Sequence, residues 1–97
     1  MNNLSIPFIN PSNVIYTQSE QNFSYKATQD CVVVGTIETS GTNASTIYVN
    51  NVRVGGTYSA AKDVTSSVFM PLKTGQTFKA ECGKFNSTYP LRIFALL

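Results

Sequence analysis

Alternating apolar and polar residues predict short β-strands along most of the chain. In the clearest example, Phe78, Ala80 and Cys82 fall on one side of an extended segment and are expected to point inward. Lys79 and Glu81 fall on the other side, where they are expected to face solvent and to form a weak ion pair. This pattern is typical of a sheet with one buried face.

The most apolar segment, Cys31–Glu38, is predicted to be a strand that is buried on both faces. Gly35 lies inside it, which indicates either a bulge or a neighbouring backbone that passes close by. We therefore expect this segment at the centre of the fold.

A tight hairpin is predicted at Asn50-Asn51. Two β-prone segments, 46–49 and 52–54, flank this pair, and asparagine tolerates the positive φ angles of a type I′ turn. Gly55 and Gly56 are expected to end the second strand of the hairpin.

The strand signals together predict an all-β protein. Seven or eight short strands follow one another at intervals of about 8–12 residues, which favours a single antiparallel β-sandwich of jelly-roll-like topology. The sandwich is assigned to residues 14–97. Residues 57–64 are compatible with one helical turn or an exposed loop, and the loop is favoured.

Residues 1–13 are predicted to form an irregular N-terminal arm, because Pro7 and Pro11 block helix formation and residues 10–13 are typical of a turn. Three apolar residues of the arm are expected to lie on a partner surface. These docking residues are Ile6, Phe8 and Ile9.

The C-terminal strand is apolar on both faces. One face carries residues able to join the core, whereas the other carries Phe94 and Leu96, which lose about 1.5–3 kcal/mol each if they stay in water. A neighbouring subunit is the favoured cover; the alternative is a central strand of a two-sheet sandwich whose end is shielded by the arm. The predicted oligomer interface comprises Leu91, Ile93, Phe94, Leu96 and Leu97.

Composition argues against catalysis and nucleic-acid binding. Only 12% of the 97 residues are charged, the net charge is +2, and there is no basic stripe to neutralise phosphates. The chain has no histidine, and its five carboxylates form no paired or ligand-spaced set. We expect a protein that is not an enzyme, with no catalytic residues, cofactor or metal ion.

The start of the chain has no cationic, apolar stretch of the secretory type, and no segment is long and apolar enough to span a membrane. We therefore expect synthesis in the cytoplasm without membrane insertion. Cys31 and Cys82 are then expected to be reduced, buried thiols, although a disulfide remains the alternative.

Polar and aromatic residues in the loops are candidates for ligand contact. Tyrosine and asparagine provide adaptable contacts at low entropic cost, which suits a sugar-binding patch. The alternative, which we favour, is that Phe85 and Tyr89 are half-buried loop anchors. The candidate ligand residues are Asn43, Tyr58, Lys84, Asn86 and Tyr89.

Four segments in order resemble the small C-terminal head domains of tailed-phage fibres and virion spikes, which are similar to trimeric jelly rolls of the complement-globular-head and tumour-necrosis-factor type. The segments are Phe23–Gly35, Ile47–Val54, Met70–Phe78 and Tyr89–Phe94. Cys31 stands where glycine is commoner in the family, and the chain carries no long fibre shaft.

The resemblance implies a non-enzymatic homotrimer on a viral particle. In this interpretation the arm contacts other virion proteins, the C-terminal strand packs around the threefold axis, and loops 39–45 and 57–63 face outward, where they are available to a host-surface glycan. One alternative is a capsid decoration protein that binds no receptor. Another is a bacterial adhesin or carbohydrate-binding module.

Overall fold

The computed structural model describes residues 8–41, 43–57 and 64–97. These segments contain eight β-strands joined by turns and short loops. The strands are β1 (Ile9–Thr17), β2 (Asn22–Lys26), β3 (Cys31–Glu38), β4 (Thr46–Val49), β5 (Val52–Gly56), β6 (Thr65–Leu72), β7 (Thr77–Glu81) and β8 (Arg92–Leu96).

The strands form two four-stranded antiparallel sheets, with orders β1-β8-β3-β6 and β2-β7-β4-β5. The chain crosses between the sheets at most connections, and its first and last strands are neighbours. This is the strand order of an eight-stranded jelly roll. The predicted all-β, jelly-roll-like sandwich is therefore confirmed.

The core lies between the two sheets and is built around Phe78, which is fully buried. Its ring lies 5.7 Å from that of Phe23, and Tyr16 stacks on Phe23 at 5.4 Å between ring centroids. Phe78, Ala80 and Cys82 all point inward, as the alternation predicts. The Lys79–Glu81 ion pair also forms at the surface, with 3.6 Å between Nζ and Oε2.

Cys31 and Cys82 are both buried and unbonded to each other, which confirms the prediction of free thiols. Burial raises the pKa of both thiols above the ordinary range, and the nearby Asp30 carboxylate adds to the effect at Cys31. A hydrogen bond from Gln18 Nε2 to Cys82 Sγ, at 3.5 Å, opposes this rise in the pKa of Cys82. The two thiols therefore act as packing groups rather than nucleophiles.

The hairpin at Asn50-Asn51 forms as predicted. Both asparagines adopt positive φ, 50° and 65°, which is the combination that a type I′ turn requires. The Asn50 side chain also accepts a hydrogen bond from the Thr77 amide at 2.9 Å, so the turn is attached to β7.

The predicted boundary of the arm lies inside β1. The strand begins at Ile9, so residues 9–13 are extended and paired rather than irregular. Proline is tolerated here because β1 is an edge strand that pairs only with β8. A register shift between Ile9 and Val14 accommodates Pro11. Residues 1–7 lie outside the described residues, as do 58–63, where the choice was between a loop and a helical turn.

The connections divide between the two ends of the sandwich. At one end, here called the terminal pole, Phe8 and Leu97 lie side by side, with the Leu97 amide donating to the Phe8 carbonyl at 2.9 Å. The turns 27–30, 50–51 and 73–76 share this pole. Hydrogen bonds from the Thr74 amide and hydroxyl hold the pKa of Asp30 below its usual value there. The opposite end, the loop pole, carries segments 39–45 and 82–91.

Candidate interaction surface

The outer face of the β1-β8-β3-β6 sheet is apolar across all four strands. Val14, Phe94, Val32 and Pro71 lie in register, one from each strand, and therefore point to the same side of the sheet. Val32 is fully buried although it lies outside the core cluster, which shows how closely its neighbours on this face surround it.

A second row extends this surface towards the loop pole. Val34 on β3 is in register with Phe69 on β6 and with Arg92 on β8. Phe69 is 55% exposed, an unusual position for a phenylalanine in a sheet. Leu96, two residues beyond Phe94, continues the surface towards the terminal pole. We call this surface the apolar face; its residues are Val14, Val32, Val34, Phe69, Pro71, Phe94 and Leu96.

The outer face of the second sheet has the opposite character. Lys79 lies 4.4 Å from the centre of the Tyr48 ring and 3.6 Å from the Glu81 carboxylate. The Tyr48 hydroxyl donates to Glu81 at 3.2 Å, which joins the three side chains into one polar network. This face is suited to solvent, so the sandwich presents one polar sheet and one apolar sheet.

A groove of about 390 Å³ opens beside Arg92 on the apolar face. Aromatic rings from three parts of the chain line it, together with hydroxyl groups from β3, β6 and the segment before β8. We call it the Arg92 groove; its principal residues are Arg92, Phe69, Tyr89, Phe94, Thr36 and Ser67.

Gly35 allows the wall of this groove to lie close to β3. Its φ is +152°, and a Cβ added there would lie 2.5 Å from the Pro90 carbonyl oxygen and 2.8 Å from the Leu91 Cα. The Thr36 hydroxyl donates to the Tyr89 carbonyl at 2.8 Å and so fixes the same segment. The predicted close approach of a neighbouring backbone at Gly35 is thus confirmed.

Replacing Gly35 with alanine is expected to lower the free energy of unfolding by about 2–4 kcal/mol, because backbone strain and the clash with Pro90 add together. Chemical denaturation measures this loss. Gly75→Ala is the matched control: its φ is +92°, but nothing lies within 4 Å of the added Cβ. The Gly75→Ala variant is expected to lose only about 1–2 kcal/mol of unfolding free energy. Equal losses in the two variants would show that the Pro90 contact is unimportant.

Two of the candidate ligand residues, Lys84 and Asn86, lie at the loop pole and serve the fold. Asn86 Nδ2 donates to Glu38 Oε1 at 2.9 Å, and Lys84 Nζ lies 3.5 Å from Glu38 Oε2. The side-chain oxygen of Asn86, Oδ1, also accepts hydrogen bonds from the backbone amides of Thr88 and Tyr89. Lys84 and Asn86 therefore tie the 84–89 segment to β3.

The other candidate ligand residues lie apart from one another. Asn43 is exposed in the 39–45 loop, where its backbone pairs with Ser40. Tyr89 is 65% exposed, so the prediction that it is a half-buried loop anchor is wrong, whereas Phe85 is half-buried. Tyr89 belongs to the Arg92 groove rather than to the loop patch. Tyr58 lies outside the described residues.

The loop 39–45 is less exposed than the sequence suggests. Thr39 and Ser45 are fully buried at its two ends. The Ser45 hydroxyl donates to the Glu38 carbonyl at 2.6 Å and accepts the Gly83 amide at 3.0 Å. Only the middle of this loop is available to a ligand, because buried hydrogen bonds hold both ends.

The C-terminal strand separates the predicted interface residues into two groups. Leu91 and Ile93 are fully buried in the core of a single chain, so they offer no surface to a neighbouring subunit. Phe94 and Leu96 lie half-buried on the apolar face, and Leu97 is 83% exposed beside the terminal pole. The strand is central in its sheet, between β1 and β3, yet its outer side chains still lack full cover.

The predicted docking residues lie at the terminal pole where the structure describes them. Phe8 is 69% exposed, and Ile9 is half-buried and in register with Leu96. Ile6 lies outside the described residues. The Phe8 side chain is thus at the opposite end of the sandwich from the 39–45 loop.

No family model, curated protein or solved structure matches this chain. Within residues 8–41, 43–57 and 64–97, no three histidine, cysteine or acidic side chains gather as metal ligands. The same residues include no helix of the length and apolarity needed to cross a membrane.

Sequence reasoning missed Gln18, which joins the two sheets at the loop pole. Its side-chain oxygen accepts the Leu91 amide at 3.0 Å, while its nitrogen donates to the Glu20 carbonyl at 2.9 Å. Gln18 is 4% exposed, although it stands in a polar stretch that predicts a solvated turn. Nothing local in the sequence distinguishes it from its polar neighbours.

Proposed function

We propose that this protein is a virion structural protein, a small homotrimeric head domain displayed on the particle of a tailed phage. The observation that carries the proposal is the half of the apolar face nearer the terminal pole, where a row of apolar residues runs across all four strands of one sheet: Val14, Phe94, Val32 and Pro71, with Leu96 beside them. The resemblance of four ordered segments to fibre and spike heads supplies the number of copies and the viral setting.

The apolar face favours contact between copies because its chemistry is nearly uniform. Arg92 is the one charged residue in its two central rows, and no acidic residue lies there. Burying a fully exposed large apolar side chain gains about 1.5–3 kcal/mol. Phe94 and Leu96 are half-buried and Val14 is 43% exposed, so each contributes part of that gain on association. Like copies meet most readily in a closed symmetric assembly.

The two poles support a display role. Phe8 projects apolar surface at the terminal pole, where contact with another virion protein would bury it. The loop pole lies at the far end of a molecule whose longest dimension is 47 Å. A head attached through the terminal pole therefore presents its loops outward, towards a host surface.

The mass of the protein in solution tests the assembly. Sedimentation equilibrium at low micromolar concentration is expected to give the mass of three chains, 10.6 kDa each. The apolar face predicts that this mass persists on dilution and at high salt, because apolar contacts are not screened. A stable monomer or dimer would overturn the trimeric head.

Rebinding to particles tests the attachment. Purified phage particles that lack this protein are expected to bind the added protein, whereas the Phe8→Asp variant is expected to bind at least about tenfold more weakly, because a charge would enter the apolar contact. Val64→Asp is the matched control, since Val64 is 39% exposed and its backbone is hydrogen-bonded to Thr39 at the loop pole, the opposite end of the sandwich. Equal binding by all three proteins would exclude attachment through the terminal pole.

A further inference from the structure

We propose that the Arg92 groove binds an acidic saccharide, with Arg92 pairing to the carboxylate of a uronic- or sialic-acid type sugar. This inference deepens the proposed head function, on which it rests for its biological setting, by naming the class of host glycan.

The positive charge of Arg92 favours an anionic ligand in the groove. Arg92 points outward from β8, between Thr17 and Val34 of the neighbouring strands. It forms no ion pair with a described carboxylate, and no acidic side chain is among the described residues that line the groove. Arg92 is exposed and therefore accessible to a ligand. Its planar guanidinium group can bind both oxygens of a carboxylate at once.

The number of charges favours a carboxylate over a phosphate. Among the described residues that line the groove, Arg92 is the one cation, so it balances a single negative charge. A phosphate monoester carries about −1.5 to −2 at neutral pH and would remain partly uncompensated there. The groove therefore suits a single carboxylate, such as that of one sugar in a uronic acid oligosaccharide.

The walls of the groove fit a sugar ring. Phe69 and Tyr89 are more than half exposed on its sides, and they offer flat apolar surfaces to the carbon–hydrogen face of a pyranose. Ser67, Thr36 and Thr88 provide hydroxyl groups for the polar edge of the ring. A volume of about 390 Å³ falls within the range of small-molecule sites, roughly 300–1,000 Å³.

Hydrogen bonds within the protein fix the 86–90 segment, which forms one wall of the groove, without any ligand. Thr36 donates to the Tyr89 carbonyl, and the Asn86 side chain accepts the Thr88 and Tyr89 amides. Gly35 lets Pro90 lie against β3. Such preorganisation lowers the entropic cost of binding. Phe94 borders both surfaces, but Val14 and Leu96 lie on its far side, so the groove and the subunit contact use different parts of the face.

Titration of the full chain with three probes tests the inference. The probes are a short polyuronate oligosaccharide, a neutral glucan of the same length and the same glucan carrying a terminal phosphate. In NMR spectra we expect the polyuronate to shift the Arg92 side-chain signal and the Tyr89 amide, and the other two to bind at least about tenfold more weakly. Equal binding of the neutral or phosphorylated glucan would overturn the inference.

Arg92→Gln is expected to weaken polyuronate binding by about tenfold or more. Arg53→Gln is the matched control, because Arg53 is exposed on β5 and pairs with Tyr48 on the outer face of the other sheet. This variant is expected to bind like the unaltered protein. Equal weakening in both variants would indicate non-specific charge attraction and overturn the site.

The mass of each protein separates the two proposals. If the protein is a trimer that does not bind the polyuronate, the saccharide site is refuted but the trimeric head is not. If the protein is a monomer that binds the polyuronate through Arg92, the trimeric head is refuted but the saccharide site is not. Preference for a peptide with a free C-terminal carboxylate over the polyuronate would also overturn the saccharide assignment.

Discussion

Replacing Phe94 with arginine is expected to convert the assembled protein into monomers. Phe94 lies in the middle of the apolar face, in register with Val14 on β1 and Val32 on β3. A trimer would bring three new cations into an apolar contact, and removing an unpaired charge from water costs several kcal/mol. Because Phe94 is only half-buried in the single chain, the monomer itself should remain folded.

Sedimentation equilibrium and far-ultraviolet circular dichroism check both parts of this expectation. Tyr48→Arg is the matched control, since it places the same charge on an aromatic position of the outer face of the other sheet, beside Lys79. This variant is expected to keep the mass of the unaltered protein. If Phe94→Arg keeps that mass as well, the copies meet through another surface.

Replacing Phe78 with alanine is expected to cause the largest loss of stability in the chain. Phe78 is fully buried on β7 and packs against the ring of Phe23. Truncating a core phenylalanine costs about 3–5 kcal/mol, because apolar contact is lost and a cavity remains. A domain of this size has only about 5–15 kcal/mol of stability, so the variant should be largely unfolded at modest denaturant concentration.

Urea denaturation at several protein concentrations measures this loss, because assembly adds a concentration-dependent contribution to stability. Phe69→Ala is the control. The same side chain is removed from a position that is 55% exposed, so the expected loss is about 1 kcal/mol or less. Comparable losses at the two positions would mean that Phe78 is not central to the core.

Local patterns in the sequence explain why much of the fold was predictable. The alternation of Phe78, Ala80 and Cys82 identifies the buried face of β7, since side chains two apart share one side of a strand. The hairpin followed from Asn50-Asn51 for a similar reason: a two-residue turn is decided by the residues that form it.

The features that the sequence did not reveal depend on contacts between distant residues. The start of β1 at Ile9 depends on pairing with Leu96, which overrides the local turn tendency around Pro11. Gln18 is buried because Leu91 and Cys82 reach it from elsewhere in the chain.

In the candidate site, too, local sequence predicted some features, whereas others depend on contacts between distant residues. The excess of apolar residues at Phe94 and Leu96 was visible in the chain, and the structure leaves both side chains half-buried on the outer face of the sheet. The row that Phe94 forms with Val14, Val32 and Pro71 needs the register of four strands, which no local signal encodes. The position of Arg92 among Phe69 and Tyr89 likewise follows only from the assembled sheet.

The pairing of Phe8 with Leu97 has a practical consequence for engineering. Because the two ends of the described chain, Phe8 and Leu97, lie at one pole, a passenger peptide joined directly to either of these residues emerges on the same side of the molecule. A short linker between those ends would close the backbone into a ring without stretching it. New ends would then be opened in a surface turn such as 73–76, with the far loops left unobstructed.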